Sequence, residues 1–377
     1  MNFILFFFLI FELLCILYIC KIFLCFKTNQ DNIFYEDICC AKILVIIPAH
    51  NESIQIRDTI RSIKKVNYPN NLIDIILLND KCIDNTVNIA RAEKIDIYNF
   101  NNNTNTKGGI LNDFCLQYKS LINKYDYLCI IDADTLVDPN FFIAANNELK
   151  NKHKIVQGEI TSIKYNENCV SCFMELFQLI INFYTNYQSK LNKSVMTGGK
   201  GLLISPKVLE KIKWDDNILI EDIDFSLNAL INGYSIYYCP QMKVKTKQVY
   251  TFRDMWIQQR RYASGQKQIF QKYYRFLISN KLVGVARTYI IQGCLSFILF
   301  LLMSISLFNL KIFLNIILSV YICIAIIVAL IIKTLNTNYS FSKIILYFPF
   351  MLFYWHIIYT ISFFKPENCW KYVRNKY

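Results

Sequence analysis

Asp132 and Asp134 are the two residues in this sequence whose type and spacing point most directly to chemistry. They follow the apolar run 127–131, which predicts a buried strand. Side chains alternate across a strand, so carboxylates at i and i+2 should point the same way. At the carboxyl end of a parallel strand they would face the crevice where open α/β sheets bind ligands. Such a pair could hold a divalent cation together with a diphosphate; the alternative is a turn with two solvated acids.

Further acidic residues also follow strand-like runs. Asp80 comes after the run 73–78, and the acids 221–222 come after 218–220. One acid after a strand is usually a turn residue or a helix N-cap. Three such acidic positions at one crevice indicate a binding site. The polar turn 48–52 would also contribute to it.

The elements that must position these acids alternate between β-rich runs and helical patterns. The pattern predicts helices at 53–65 and 84–92, a helix opening at Lys107, and strands at 43–47, 73–78, 95–99 and 127–131. Strand–helix alternation with apolar strands predicts a parallel sheet covered on both faces, an α/β architecture of the nucleotide-binding type. After residue 154 the pattern is less regular, with helices predicted at 169–192, near Asp222 and at 251–276, and strands at 155–163, 198–205 and 235–239.

Long apolar runs predict membrane segments at both ends of this domain. The chain has 377 residues, of which 54% are hydrophobic. Residues 1–28 are predicted to form a retained transmembrane anchor, because 3–26 is long enough to span and carries few charges. We expect a C-terminal membrane region at 285–377, with spans at 287–308 and 312–332. The segment 344–364 is predicted to be interfacial or re-entrant, since a third span would place the basic tail outside.

Basic residues predict the orientation and the surroundings of the protein. Nothing basic precedes the first apolar run, whereas Lys21 and Lys27 lie at its carboxyl end, which predicts that the domain 41–280 lies on the cytoplasmic side of the cell membrane in a multi-pass protein. The formal charge of +13 comes without zinc spacing or an RNA-binding aromatic pattern, so an anionic bilayer surface is expected rather than nucleic acid. The 14 cysteines form no paired C-x-x-C framework, which indicates reduced thiols.

Seven short motifs occur in a specific order along the chain. They are Pro-Ala-His-Asn-Glu, Asn-Asp-Lys-Cys-Ile-Asp-Asn-Thr, Lys-Gly, Asp-Ala-Asp, Gly-Gly-Lys-Gly, Glu-Asp and Gln-x-x-Arg-Tyr. In this order they resemble the family 2 glycosyltransferases, and within them the membrane-embedded branch of cellulose, hyaluronan and poly-N-acetylglucosamine synthases. The resemblance implies a GT-A type domain with a parallel or mixed sheet, joined to transmembrane helices.

The resemblance also implies a site for a sugar nucleotide. The donor-binding residues would be Pro48, His50, Glu52, Asp80, Lys107, Asp132 and Asp134. Asp132 and Asp134 would hold Mg²⁺ or Mn²⁺, with Asp134 the more direct ligand, and the metal would neutralise the departing diphosphate. Gly108 would allow a close backbone approach, and Asp84 would be either a second acid of the nucleotide pocket or a helix N-cap.

On the acceptor side the resemblance implies that Asp222 is the general base of an inverting displacement. Glu221 would orient the loop. The diphosphate and the acceptor would be contacted by Gly199, Gln258, Arg261 and Tyr262, the last three sharing one helix face. Tyr262 stands where the family has Trp, a departure that bears on acceptor fit and processivity. Lys81 replaces a small or amide residue of the family motif.

The function implied is that of a metal-dependent hexosyltransferase that extends a surface polysaccharide from a UDP-sugar. One alternative is a single addition to a polyprenyl phosphate or another lipid acceptor. Another is a catalytically inactive scaffold subunit that binds a sugar nucleotide. The expected partners are the donor, a carbohydrate or lipid-linked acceptor, and the lipid bilayer.

Overall fold

The computed structural model describes residues 41–100, 106–163, 168–279 and 341–367. The predicted anchor 1–28 and the predicted spans 287–308 and 312–332 lie outside the described residues. Within the described ranges, no helix combines the length and the apolar character that a membrane crossing requires.

The described residues contain one mixed sheet of eight strands, in the order β3-β2-β1-β4-β7-β6-β8-β5. The strands β1 to β4 pair in parallel, so their carboxyl ends meet at one edge. Strand β7 is antiparallel to β4 and β6, and β8 is parallel to β6 and antiparallel to β5. The strands are Ile43–Ala49 (β1), Ile73–Asp80 (β2), Asp96–Phe100 (β3), Tyr127–Ile130 (β4), Thr135–Val137 (β5), Ile155–Ser162 (β6), Leu202–Ile204 (β7) and Ile236–Thr246 (β8).

The described residues form eleven α-helices, some of which cover the two faces of the sheet. They are Ile56–Lys64 (α1), Thr86–Ala92 (α2), Lys107–Gln117 (α3), Lys119–Ile122 (α4), Phe141–Ala144 (α5), Asn146–Lys150 (α6), Cys169–Lys190 (α7), Pro206–Leu209 (α8), Glu221–Ile231 (α9), Phe252–Ser279 (α10) and Phe341–Phe364 (α11).

The central strand β1 is buried from both sides, and its alternating side chains enter two different cores. Val45 packs in the cluster that contains Ile60 of α1, whereas Ile46 packs in the cluster that contains Phe114 of α3. A strand between two helical layers must be apolar at every position, which is why the run 43–47 carries no alternation.

A second layer, formed by α7, α10 and α11, lies beside the sheet. Met255 of α10 and Trp355 of α11 pack against the first half of α7, and the Trp355 indole donates to Gln259 Oε1 at 2.8 Å. Helix α7 begins with a capping box, in which the Asn168 side chain accepts from the Ser171 backbone N–H at 2.9 Å. The predicted segment 344–364 therefore lies on a helix that packs against the domain.

Three details of the predicted strand pattern were wrong. Strand β8 runs on to Thr246 instead of ending at 239, because its second half pairs with β5 and β6. Residues 218–220 do not form a strand. The Leu219 N–H donates to Gln268 Oε1 of α10 at 2.9 Å instead of to a neighbouring strand. The strand β5 was not predicted, since three residues are too few to show an alternating pattern.

Candidate active site

A cavity of about 430 Å³ lies at the carboxyl ends of the parallel strands. Every residue predicted for donor, metal, base or acceptor binding lines it, although the motifs are spread over more than half of the chain. The twelve residues are Pro48, His50, Glu52, Asp80, Lys107, Asp132, Asp134, Gly199, Asp222, Gln258, Arg261 and Tyr262. The structure thus brings them together, and their individual roles stay predictions.

Asp132 and Asp134 both face one ammonium group at the floor of the cavity. Lys200 Nζ lies 3.2 Å from Asp132 Oδ2 and 3.9 Å from Asp134 Oδ1. The two acids share a direction as predicted, but the reason given was wrong. They lie in the turn after β4, where the Thr135 N–H bonds the Asp132 carbonyl at 3.1 Å, and not on the strand itself.

Two lysines hold Asp132 in its charged form. Lys107 Nζ donates to Asp132 Oδ1 and also to the Gly199 carbonyl, while Lys200 contacts the other carboxylate oxygen. Burial opposes ionisation, but the two ammonium groups outweigh it and lower the pKa of Asp132 to about 2. Burial likewise opposes the charge on Lys200, and the two carboxylates raise its pKa.

The donor atoms here suit a divalent cation that arrives with a phosphorylated substrate. Carboxylate oxygens are the ligands that Mg²⁺ prefers, and it is commonly held by one or two of them plus substrate phosphates. In the part of the chain that the structure describes, no three His, Cys, Asp or Glu side chains form a complete metal site. Asp132 has a lysine on each oxygen, whereas Asp134 accepts from Thr135 Oγ1 at 3.2 Å and is the less engaged of the pair.

Glu52 adds a further carboxyl group close to this pair. Burial raises the pKa of Glu52 to about 8, and the negative charges of Asp134, Asp132 and Asp84 add to the effect. Without a bound cation, Glu52 is therefore mostly protonated at neutral pH. A cation at the aspartates would favour its charged form.

The loops after β1 and β2 form the opposite wall and are bonded to each other. His50 Nδ1 donates to the Asp80 backbone carbonyl at 2.7 Å, and the Asp80 carboxylate is buried. Burial raises the pKa of Asp80, although the nearby His50 and Lys81 lower it. The Asp80 side chain lines the cavity, and its contact with a nucleotide stays a prediction.

Asp84 does not line the cavity. The N-cap of α2 is Asn85, and Asp84 is the residue before it. Its carboxylate accepts from the Thr86 N–H at the start of α2 and from the Ser53 N–H, both at 3.0 Å. Asp84 therefore ties the two loops together. Lys81, the departure from the family motif, has a φ of +50°, a backbone region that favours Gly or Asn, and this explains why a small or amide residue is usual there.

Asp222 lies in the first turn of α9, directly behind the Gly-rich turn. Thr197 Oγ1 donates to the Asp222 carbonyl at 2.9 Å, and the Thr197 N–H donates to Ser226 Oγ at 2.9 Å. Gly199 has a φ of +72°, and a Cβ there would lie 3.4 Å from Asp222 Oδ2. The glycine therefore keeps the space in front of the carboxylate open.

Burial and nearby positive charges shift the pKa values of the acids of α9 in opposite directions. Burial raises the pKa of Asp222, against the lowering effects of the Ile223 N–H, Lys107 and Arg261. Burial and the adjacent Asp222 raise the pKa of Glu221 in the same way. A carboxylate with a raised pKa is a better proton acceptor than an ordinary aspartate.

Helix α10 presents Gln258, Arg261 and Tyr262 to the cavity. Its other side contacts α11, where the Trp355 indole donates to Gln259 Oε1 at 2.8 Å, and the residues after α11, where Arg260 pairs with Glu367 at 2.6 Å. Helix α11 thereby holds the face of α10 that lines the cavity.

Sequence reasoning missed several residues that line the cavity, among them Gln157, Lys200 and Tyr359. Buried Gln157 holds the Gly-rich turn, since its Oε1 accepts from the Gly198 N–H and its Nε2 donates to the Lys200 carbonyl, both at 2.9 Å. Lys200 lay inside a quoted motif, and its charge beside two glycines was the available signal. Tyr359 of α11 also lines the cavity, and nothing in its apolar run distinguishes it.

Gly108 packs against a side chain of the protein itself. A Cβ at this position would lie 2.7 Å from Trp214 Cβ. The close approach of α3 to Trp214 by itself requires a glycine here, and the approach of a nucleotide to this backbone stays a prediction.

Comparison with known proteins gives matches over most of the chain. A family model described as "Glycosyl transferase family group 2" matches residues 127–364. The probable glycosyltransferase YdaM of Bacillus subtilis is 23% identical over 335 residues, which cover 86% of this chain and 75% of that protein. The poly-beta-1,6-N-acetyl-D-glucosamine synthase of Staphylococcus epidermidis is 25% identical over 265 residues, or 63% of this chain and 58% of the synthase.

A solved structure shares the fold. The mannosyltransferase PcManGT from Pyrobaculum calidifontis, in complex with GDP-Man and Mn²⁺, superposes with a TM-score of 0.58 at 13% identity and covers 94% of both chains. The likeness supports a GT-A-like mixed α/β fold.

Proposed function

This chain belongs to glycosyl transferase family group 2, and on that premise we propose that it transfers a hexosyl unit from a nucleoside-diphosphate sugar to an acceptor hydroxyl. The observation that carries the proposal is the convergence of Asp132, Asp134 and Asp222 on one cavity. The donor class is a UDP-sugar by motif resemblance. A GDP-sugar is the competing donor, because PcManGT binds GDP-Man.

Asp132 and Asp134 would hold Mg²⁺ or Mn²⁺, and the metal when bound supplies positive charge that stabilises the leaving diphosphate. The Mn²⁺ complex of PcManGT supports this assignment. Lys107 already donates to Asp132 and to the Gly199 carbonyl. It therefore fixes the floor of the donor site against the Gly-rich turn and adds positive charge there.

Asp222 would accept the proton of the acceptor hydroxyl as that oxygen attacks the anomeric carbon, which inverts the configuration. Its raised pKa makes it a competent proton acceptor, and the charges of Lys107 and Arg261 keep the ionised form accessible. Gly199 leaves room for the hydroxyl because it has no side chain in front of the carboxylate.

We propose a surface polysaccharide as the acceptor, in line with the poly-N-acetylglucosamine synthase relative. A lipid-linked acceptor is the second candidate, because helices α7, α10 and α11 give the cavity an apolar wall that includes Met174, Phe177, Ile181, Ile269 and Tyr359. Aromatic rings there could stack on a sugar, and aliphatic side chains could contact a lipid chain. The length of the product separates the two.

The apolar runs and the basic residues of the sequence support a multi-pass protein of the cell membrane with its domain on the cytoplasmic side. A fluorescent protein fused after Tyr377 should fold and fluoresce if the tail is cytoplasmic. A dark fusion of normal abundance would place the tail outside and contradict an interfacial or re-entrant segment 344–364.

The transferase proposal is tested with the full chain purified in detergent, Mn²⁺, and radiolabelled UDP-glucose, UDP-N-acetylglucosamine, UDP-galactose and GDP-mannose. We expect transfer from one donor, loss of transfer with a chelator, and a product that is sized to distinguish polymer from single addition. If no donor is transferred or hydrolysed with any acceptor fraction, the inactive scaffold becomes the better account.

A further inference from the structure

Lys200 faces the carboxylates of both Asp132 and Asp134. Its Nζ lies 3.2 Å from Asp132 Oδ2 and 3.9 Å from Asp134 Oδ1, and only 19% of its side chain is exposed. Lys107 holds the remaining oxygen of Asp132. Two carboxylates and two ammonium groups thus form a cluster with no net charge.

A divalent cation cannot join this cluster without a large electrostatic cost. It would bind a carboxylate oxygen at roughly 2.0–2.6 Å, close to an ammonium group that already contacts the same pair. Like charges at such separations repel strongly in a partly buried site. Lys200 must therefore move away, or the cation must be excluded.

The two lysines differ in their backbone setting and in the partners of their ammonium groups. Lys107 is the first residue of helix α3 and bonds the Gly199 carbonyl as well as Asp132. Lys200 lies between Gly199 and Gly201, whose φ angles are +72° and +64°, in a turn without helical hydrogen bonds. Lys200 Nζ also donates to Thr246 Oγ1 at 3.2 Å, a neutral acceptor.

We propose that Lys200 is an internal counter-cation that neutralises Asp132 and Asp134 in the donor-free protein and passes to the diphosphate of the donor when a divalent cation takes over the pair. The inference rests on the proposed function, because it requires a nucleoside-diphosphate donor. The consequence is that metal and nucleotide bind cooperatively. Without the nucleotide, a metal must displace the Lys200 ammonium group while no diphosphate is present to pair with it.

The test measures Mn²⁺ binding to the full-length protein without nucleotide, from the electron paramagnetic resonance signal of free Mn²⁺. In Lys200→Met the Mn²⁺ affinity should rise about tenfold, since one partly screened like charge is removed a few ångströms away. The affinity for UDP or GDP in saturating Mn²⁺ should fall about tenfold. Lys200→Gln should behave in the same way, and Lys200→Arg should keep the wild-type Mn²⁺ affinity.

Opposite changes in the two affinities would separate this role from a structural one, because misfolding weakens both. Lys243→Met is the matched control, since Lys243 pairs with Glu159 at 3.6 Å and should alter neither affinity. Unchanged Mn²⁺ affinity in both neutral variants, or a loss of both affinities, overturns the proposal. If the Lys200 variants give one of these contradicting results while the wild type transfers sugar in the presence of Mn²⁺, only the role of Lys200 is refuted. If the wild type binds neither UDP nor GDP and transfers no sugar, the proposed function itself is refuted.

Discussion

Replacing Gly199 by alanine should affect activity far more than stability. The residue has a φ of +72°, and an L-residue in the left-handed region costs about 1–2 kcal/mol. The new methyl group would lie 3.4 Å from Asp222 Oδ2 and 3.5 Å from Lys107 Nζ, which is ordinary contact and adds no clash. Gly199→Ala should therefore fold, with a free energy of unfolding lower by about 1–2 kcal/mol.

The same methyl group would fill the space that an acceptor hydroxyl needs. A general base must come within about 2.6–3.2 Å of the oxygen whose proton it takes, and a methyl group in front of the carboxylate prevents that approach. We expect kcat/KM for transfer to fall about 100-fold, the lower range of what general base catalysis contributes. Initial rates with labelled donor, together with urea unfolding of the same preparation, give both quantities.

Gly233→Ala is the matched control for this experiment. Gly233 has a φ of +82°, and a Cβ there would meet nothing within 4 Å. It should lose the same stability through backbone strain and keep its transfer rate. If Gly199→Ala keeps wild-type kcat/KM, or if both variants lose activity equally, the space in front of Asp222 is not where the acceptor reacts.

Three further predictions follow from the charges and the backbone of the site. Because burial raises the pKa of Asp222 and a base must be ionised, kcat/KM at saturating metal should fall with decreasing pH at a pH above the ordinary aspartate range; a flat profile down to pH near 4 would contradict this. The pKa of Asp132 lies at about 2 instead of 3.8, so its charge contributes about 2 kcal/mol of stability above pH near 4, which is lost as pH falls through 2. Asp132→Asn should be less stable in urea at neutral pH by at least about 1–3 kcal/mol, because it leaves two ammonium groups without this counter-charge, with a difference that shrinks in acid. Lys81→Asn should raise the free energy of unfolding by about 0.5–1 kcal/mol, because the φ of +50° suits Asn better; an equal or lower value in urea would show that the strain is relieved elsewhere.

The sequence was sufficient for the parallel half of the sheet and for the residues at its carboxyl edge. In β1 and β4 every side chain is buried or nearly so. A strand buried on both faces needs an apolar residue at each position, so a continuous apolar run that ends in polar residues predicts such a strand. The family and the mixed α/β fold predicted from the motif order are confirmed. The membrane spans and the orientation stay predictions, since the spans lie outside the described residues.

The remaining features of the site depend on contacts between distant parts of the chain. Lys200 reaches Asp132 because β7 pairs antiparallel with β4, and a three-residue strand carries no pattern from which that pairing could be read. Tyr359 reaches the cavity because α11 packs on α10, where Gln266 Nε2 donates to its hydroxyl at 3.4 Å. An apolar run does not reveal which of its residues faces a cavity.

The most direct test of the central claim is the transfer rate of Asp222→Asn, measured beside Mn²⁺-dependent binding of UDP or GDP. Asp58→Asn in α1 is the matched control, because Asp58 is exposed and does not line the cavity. If Asp222 is the base, transfer should fall about 1,000-fold while nucleotide affinity stays within about twofold, and the control should match the wild type. Transfer by Asp222→Asn at close to the wild-type rate would contradict the account.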